Sequence, residues 1–509
     1  MNRTTALAGN PPTELLPDTH REHSRRVRSR LVEAGLHDGA TWRVSPTPFL
    51  LTSADRAAIE SLGLHLLRFT QALNRLYYDS VRGAQPRWVA EYLDQGKPSD
   101  LIDHARMNRF RAALPGVIRP DLIFTEDGFM ISELDSVPGG IGLTGCMAQA
   151  YADLGWPIIG GRNGMVEGFA RMIKSLHNDR TASLAIVVSE EAKDYRPEML
   201  WLAARLREAG LAAETVSPED VTFTEEGLFL RETEAVTALY RFFELFDLKN
   251  IPKAELLLYA VKKGRVAMTP PAKPWLEEKM AFALLHHPAL EPFWSKELGP
   301  DTFDLLRRWM PKTWILDPRP VPPHAVIPGL TAEGRGVSDW KTMAGLGQKG
   351  RRFVLKPSGF SELAWGSRGV SVGHDLPQKE WADAIDAGLA SFPKMPYILQ
   401  EFRKGKRVAS SYHDPVKDEI VPMPGRVRLS PYYFAAGETV ELAGILATVC
   451  PLDKKLIHGM TDAVMAPCAL ARPGETASVG AGGAPRVPIA PANATGDGPP
   501  SATMVVPTP

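Results

Sequence analysis

Residues 119–135 read Arg119-Pro120-Asp121-Leu122-Ile123-Phe124-Thr125-Glu126-Asp127-Gly128-Phe129-Met130-Ile131-Ser132-Glu133-Leu134-Asp135. Two strand-like runs, Asp121 to Thr125 and Phe129 to Leu134, flank Asp127-Gly128, and Asp-Gly in that setting is a strong hairpin signal. Side chains alternate faces along a strand, so Glu133 and Asp135 share a face and antiparallel pairing brings Asp121 alongside. Three carboxylates packed together drive one another's pKa upward unless solvent, a basic partner or a divalent cation compensates. Oxygen-only donors suit magnesium, which keeps water and substrate phosphates in its shell. On spacing alone, a solvated acidic hairpin edge weighs about equally.

Working outward, residues 1–45 read as a polar leader and 46–180 as a helical segment plus the carboxylate hairpin. Ile59, Leu62, Leu66, Phe69, Leu73 and Leu76 form one apolar stripe, which predicts a helix from about Ser53 to Tyr78. Residues 181–250 read as a small α/β subdomain. It has a strand at Leu184 to Val188, a helix opened by Pro197 and closed by Gly210, and strands near Glu214 to Val216, Val221 to Phe223, Leu228 to Leu230 and Val236 to Phe242. In 251–468, Pro270 to Pro274 lead into a predicted helix carrying Lys279, and a Pro-rich connector, Asp317 to Gly329, reads as a lobe boundary. Residues 469–509 collapse to an Ala/Gly/Pro-rich tail, predicted to be disordered.

Three glycine-bearing stretches invite comparison. Gly140-x-Gly142-x-x-Gly145 and Gly345-x-Gly347-x-x-Gly350 both match the dinucleotide fingerprint. Glu133 and Asp135 stand just before the first, no acid-ending strand follows it, and the second precedes a strand, so turn glycines are the better reading. The third is more informative. A strand ending in Lys356 runs into a loop with Gly359, Gly366 and Gly369 and then into the strand Val370 to Val372. Such a loop can close over phosphates with Lys356 at its base. The apolar strand Tyr397 to Phe402 ends in Gln400 and Glu401, able to read an adenine edge. Arg426 and Arg428 alternate on a later strand, where they either solvate a strand face or clamp phosphate charge. Arg241 ends an apolar strand and reads first as a salt-bridge partner.

The 509 residues hold 59 basic and 59 acidic side chains and are 44% hydrophobic. That balance argues against general nucleic-acid or anionic-membrane binding. No secretion signal or membrane-length apolar run is visible, and three scattered cysteines suit a reducing cytoplasm. Cys450, His458 and Cys468 are too irregular for zinc.

With these pieces in order, the chain resembles the circularly permuted ATP-grasp proteins, in particular the amide-ligase domain of glutathionylspermidine synthase, over roughly residues 119–467. Arg119-Pro-Asp121 followed by Glu133-Leu-Asp135 reproduces the family's Arg-x-Asp and Glu-x-Asn spacing, with Asp135 in place of Asn. The resemblance implies a mixed α/β fold with the nucleotide between two lobes. It implies that Asp121, Glu133 and Asp135 bind Mg2+, and that Arg119 and Arg428 (or Arg426) stabilise the transferring phosphate. Lys279, Lys356, Gly359, Gly366, Gly369, Gln400 and Glu401 would hold ATP. The activity implied is ATP-dependent ligation of a small-molecule carboxylate to an amine or thiol. A phosphotransferase and an inactive nucleotide-binding protein are the alternatives.

Overall fold

The computed structural model describes residues 17–478 except 136, 177–182, 232, 365, 367, 455–460, 473–474 and 476. Helix α1 spans Pro17–Glu33, within the stretch expected to be a leader, and Val27 and Leu31 are buried in a core with Trp42. Helix α2, Ser53–Val81, opens on a capping box in which Thr52 accepts from Asp55 N and the Asp55 carboxylate accepts from Thr52 N. The hairpin follows as β1, Val117–Thr125, and β2, Gly128–Asp135. Then come α3, Ile141–Asp153, α4, Gly164–Ser175, β3, Ser183–Val188, α5, Arg196–Glu208, and β4, Ala212–Val216.

The single strand expected over 236–242 is divided at Thr237. Glu234–Val236 joins a three-stranded sheet with Val221–Thr224 and Gly227–Leu230, and β5, Ala238–Phe242, enters a parallel one. Thr237 sits between them because its Oγ1 accepts Ser183 N at 2.9 Å and its own N–H donates to Ser183 O at 3.0 Å. Helix α6, Ala254–Lys263, and β6, Ala267–Thr269, complete this region. Helix α7, Glu291–Trp309, is bent at Gly299-Pro300. Strands β7, Thr313–Ile315, β8, Phe353–Pro357, and β9, Ser371–Val372, precede α8, Gln378–Ser391, and β10, Tyr397–Glu401. The chain then returns through β11, Gly425–Ala436, β12, Thr439–Pro451, and β13, Val464–Leu470.

Three sheets position the site. The largest runs β13-β12-β11-β1-β2, with Arg43–Val44 and Phe49–Leu51 parallel to β13 and Arg407–Val408 on β11. Period-2 alternation gives it two faces. Leu122, Phe124, Val427 and Leu429 pack on α2 and α7, whereas Tyr432, Phe434 and Leu446 pack on α3, α4 and α5. The second sheet is parallel, β6-β5-β3-β4, and the third antiparallel, β7-β10-β8-β9.

Three further expectations change. The connector 317–329 lies between β7 and β8, strands of one sheet, and is tied back by Trp314 Nε1 to Pro328 O and Trp340 Nε1 to Asp317 O, so it closes one lobe instead of dividing two. Lys279 is not helical. Pro274 starts a short 3-10 turn ending at Glu277, and the next helix begins at Ala281. The tail's first residues are ordered, since Leu470 ends β13 and Ser478 Oγ accepts Leu50 N at 2.9 Å; residues 479–509 lie outside the described ones, as does His458.

Candidate active site

β1 and β2 pair with Arg119 opposite Asp135 and Asp121 opposite Glu133, and the register shifts beyond Asp121, so that Leu122 faces Ile131. Ser132 is the extra residue of that bulge. Bulges re-aim the groups around them, and here Ser132 O accepts Lys356 Nζ at 3.3 Å from the small antiparallel sheet. The hairpin therefore presents its carboxylates on the face opposite Leu122 and Phe124.

The compensating group is Arg119. Its guanidinium is bonded to Asp121, to Ser430 Oγ at 3.2 Å and to Asp135 Oδ2 at 2.7 Å, and it is only 8% exposed. Asp121, 2% exposed, also accepts from Ser430 Oγ at 3.0 Å and Arg428 Nη1 at 3.2 Å. Burial works to raise the Asp121 carboxyl, but Arg119 and Arg428 outweigh it and hold it below the usual carboxylate range. Arg119 is thus engaged as a strut between two carboxylates, while Arg428 keeps a fifth of its side chain exposed and lines the cleft.

Facing the hairpin, β8 pairs with β10 so that Val354 lies opposite Gln400 and Lys356 opposite Ile398. Lys356 Nζ bonds Gln400 Oε1 at 3.0 Å, and Gln400 Nε2 donates to Thr313 Oγ1 at 3.2 Å. Burial pushes the Lys356 ammonium down, with Glu133 opposing that fall. Glu401 N and Phe402 N are spent on Lys312 O and Arg352 O, so the strand's own N–H groups are already paired. Lys279 Nζ stands 3.6 Å from Glu133 Oε2 and donates to Ala364 O at 3.1 Å, and its backbone N–H is held by Ser358 O at 2.8 Å. Behind it, Glu278 accepts from Ser358 Oγ and pairs with the buried Lys97 at 2.6 Å. A Cβ on Gly359 would approach Glu277 O to 2.9 Å, which is the close passage that requires glycine there.

Arg119, Asp121, Glu133, Asp135, Lys279, Lys356, Gln400, Glu401 and Arg428 line one cleft of about 1430 Å³, together with Gly359 and Gly366. Gly369 does not line it; it packs behind, its N–H bonded to Leu363 O at 2.9 Å. Arg426 also lines the cleft while donating to Leu452 O. Arg241 does not: fully buried, it bonds Glu277, Pro270 O and Phe243 O, the salt-bridge role expected of it.

Several cleft residues carry no signal in the linear sequence. Glu198 from α5 accepts Gly140 N at 2.7 Å and Leu143 N at 3.2 Å, so its carboxylate fills the anion position that the fingerprint glycines would otherwise offer. Burial raises this carboxyl to about 7, against those backbone bonds. Glu244, just beyond β5, is raised to about 8 by burial and then by Glu277 and Asp135. Tyr432 Oη donates to Gly139 O at 2.7 Å. These contacts join residues far apart in the chain, Glu198 reaching Gly140 through the packing of α5 on α3 and Tyr432 reaching Gly139 from β11.

Magnesium, implied by the pattern and the resemblance, can be tested against the donors. Among the described residues no group of three or more His, Cys, Asp or Glu side chains is arranged to hold a metal ion. Asp135 has both oxygens engaged, Oδ2 by Arg119 and Oδ1 by Val137 N at 2.9 Å. Glu133, with 31% of its side chain exposed and directly across from Asp121, offers oxygen donors toward the cleft. One or two carboxylates are what magnesium takes when phosphates complete its shell, so the donor set fits an ion arriving with a nucleotide.

The structure aligns with that of a glutathione synthetase-like effector from Globodera pallida in its apo form, with a TM-score of 0.54 at 12% identity over 90% of this chain and 98% of that one. The two share a fold. A protein from Methylobacillus flagellatus KT described as a gamma-glutamylcysteine synthetase gives a TM-score of 0.40 at 11% identity, over 86% of this chain and 93% of that one. D-cycloserine synthetase DcsG gives 0.26 at 17%, over 57% and 92%. Both lie below the level at which a common fold is inferred. No family model and no curated protein matches the chain. Mixed α/β architecture with several sheets, as in the glutathione synthetase-like effector, is therefore the level at which the expected fold stands. No helix among the described residues is long and apolar enough to cross a membrane.

Proposed function

We propose that the chain is an ATP- and magnesium-dependent ligase of the circularly permuted ATP-grasp type, joining a small-molecule carboxylate to an amine or thiol through an acylphosphate. The observation that carries this reading is the meeting, in one cleft, of the hairpin carboxylates Asp121 and Glu133 with Lys279, Lys356 and Arg428 from three other stretches of chain. Fixed cations and carboxylates without a side-chain nucleophile suit phosphoryl transfer, in which positioning and charge stabilisation do most of the work. The cysteines support this: all three are buried and none lines the cleft.

In this reading Val354 and Val372 face the adenine and Gln400 stands at its polar side, with Glu401 beyond. Lys356 and Lys279 take the phosphates, and the loop bearing Gly359, Gly366 and Gly369 closes over them to exclude water. Glu133 holds magnesium, which when bound supplies Lewis-acid stabilisation of phosphate charge, and Asp121, its oxygens already engaged by Arg119, Ser430 and Arg428, stands opposite it. Asp135 and Arg119 fix the hairpin behind them, and Arg428 meets the transferring phosphate. In this reading the protein works in the cytoplasm on small molecules and not on nucleic acid, which the three scattered cysteines and the balanced charge support.

The test is ADP release from ATP and magnesium over a library of acids and amines, with Glu133→Gln in parallel. ADP is expected only when acid and amine are both present, with an amide as product, and Glu133→Gln should cut turnover on the order of 10²-fold and raise the magnesium requirement. A stable phosphorylated ligand would assign a phosphotransferase instead, and ATP binding without ADP release a nucleotide-binding regulatory protein. Unchanged magnesium dependence and turnover in Glu133→Gln would remove the metal assignment.

A further inference from the structure

A second cavity, of about 500 Å³, opens beside β6 and the C-terminal end of α6 and shares no lining residue with the cleft. Its volume falls within the range of about 300–1,000 Å³ typical of small-ligand sites. Phe110, Val261 and Met268 give it apolar walls. Its charged or titratable groups are His104, Arg109, Arg265 and Lys273, and among the described lining residues there is no Asp or Glu.

The basic character is built in. Lys273 is 1% exposed, and its Nζ donates to three neutral acceptors: Asn74 Oδ1 at 3.0 Å, Arg111 O at 3.2 Å and Ala113 O at 2.7 Å. With no carboxylate beside it among the described residues, burial pushes its ammonium down to about 7. Its donors are used, so it offers no bond to a ligand, and with its ammonium lowered the permanent charges of the cavity are Arg109 and Arg265. Arg109 and Arg265 are exposed, and the described lining around them holds no carboxylate. Arg109 crosses the helix terminus at Gly264, where a Cβ would meet its Nη2 at 2.5 Å. The partial negative charge of a helix C-terminus attracts such a cation without neutralising it.

We propose that this cavity binds a small organic anion, a carboxylate carried on an apolar ring or branched chain. Its carboxylate lies between Arg109 and Arg265, whose forked donors suit that group, and its hydrocarbon part lies against Phe110, Val261 and Met268. The site is also placed to inform the cleft. The segment that begins at Lys273 passes through the 3-10 turn to Glu277 and Lys279, both of which line the larger pocket. The proposal does not depend on the ligase reading.

The test uses phenylacetate as probe and calorimetry on the full chain, comparing wild type with the double variant R109Q/R265Q and with K356M in the cleft. Both arginines are exposed, so the double variant is expected to fold. Saturable binding should weaken about tenfold or more in R109Q/R265Q, stay unchanged in K356M, and be absent for the uncharged analogue 2-phenylethanol. No saturable binding, equal binding by the double variant, or binding lost in K356M, which would place the anion in the cleft, overturns it.

Discussion

Replacing Arg119 by leucine separates a strut from a phosphate ligand. Leucine keeps part of the volume but removes the bonds to Asp121, Ser430 and Asp135. Arg119 Nε has no partner to lose among the described residues. Asp135, about a third exposed on its side chain, recovers most of its loss from water. Asp121 is 2% exposed and keeps Arg428 and Ser430, so it is left under-compensated rather than bare. Breaking a buried pair by removing one partner costs about 3–5 kcal/mol, and the remaining partners put the expectation near the lower end, about 3 kcal/mol. In the wild type the Asp121 carboxyl is held low in the folded state by Arg119 and Arg428 against burial. It contributes stability above its unfolded pKa, and that contribution is lost as pH falls through the folded pKa. In Arg119→Leu burial should prevail and raise the folded pKa, so the variant is penalised at neutral pH and relieved on acidification. Urea unfolding of both proteins should show the gap widest near pH 7 and narrower near pH 5. A gap below about 1 kcal/mol at neutral pH, or one equal at both pH values, refutes the assignment of Arg119 as the group that compensates the hairpin.

Lys356→Met should lower ATP affinity and cut ADP release on the order of 10²-fold, measured by nucleotide titration and a coupled assay; unchanged values would place the phosphates elsewhere. Gly142→Ala should cost about 1–3 kcal/mol or more, because the added Cβ meets Glu198 O at 2.1 Å; a thermal midpoint equal to wild type would contradict that packing. Glu244 has its folded pKa raised to about 8, so it favours the folded state fully below its unfolded pKa and loses that contribution as pH rises toward 8. Glu244→Gln should therefore flatten the fall in stability between about pH 5 and pH 8, read from melting curves; an unaltered slope would show the carboxyl to be ordinary.

The hairpin was legible because Asp127-Gly128 fixes a turn locally, and the paired strands then dictate which acids face each other. The alternating Arg426 and Arg428 and the strand ends at Lys356 and Gln400 were legible for the same reason: a period of two survives into the fold. The compensating role of Arg119 was not, since it depends on Ser430 and on a pairing in which Asp135 lies across from it. Neither was the turn at Lys279, where Pro274 and the bond from Lys279 N to Ser358 O decide the backbone against a helix. Glu198 and Glu244 arrive from α5 and from the end of β5, and each reads in the sequence as an ordinary surface acid.

The order of strands in the largest sheet has a consequence for how the protein comes to exist on the ribosome. β1 carries Asp121, and the arginine that reaches it from β11 lies 307 residues later. Until β11 has emerged, the edge of β1 that it covers is open and Asp121 lacks Arg428 and Ser430. The cleft is therefore among the last parts of the molecule to be assembled during synthesis. Such long-range pairing is slow, because the loop-closure entropy is spent before any contact repays it. Nascent chains stalled before residue 425 should be held by chaperones and incapable of binding nucleotide, which makes C-terminal strand insertion the step that switches the site on.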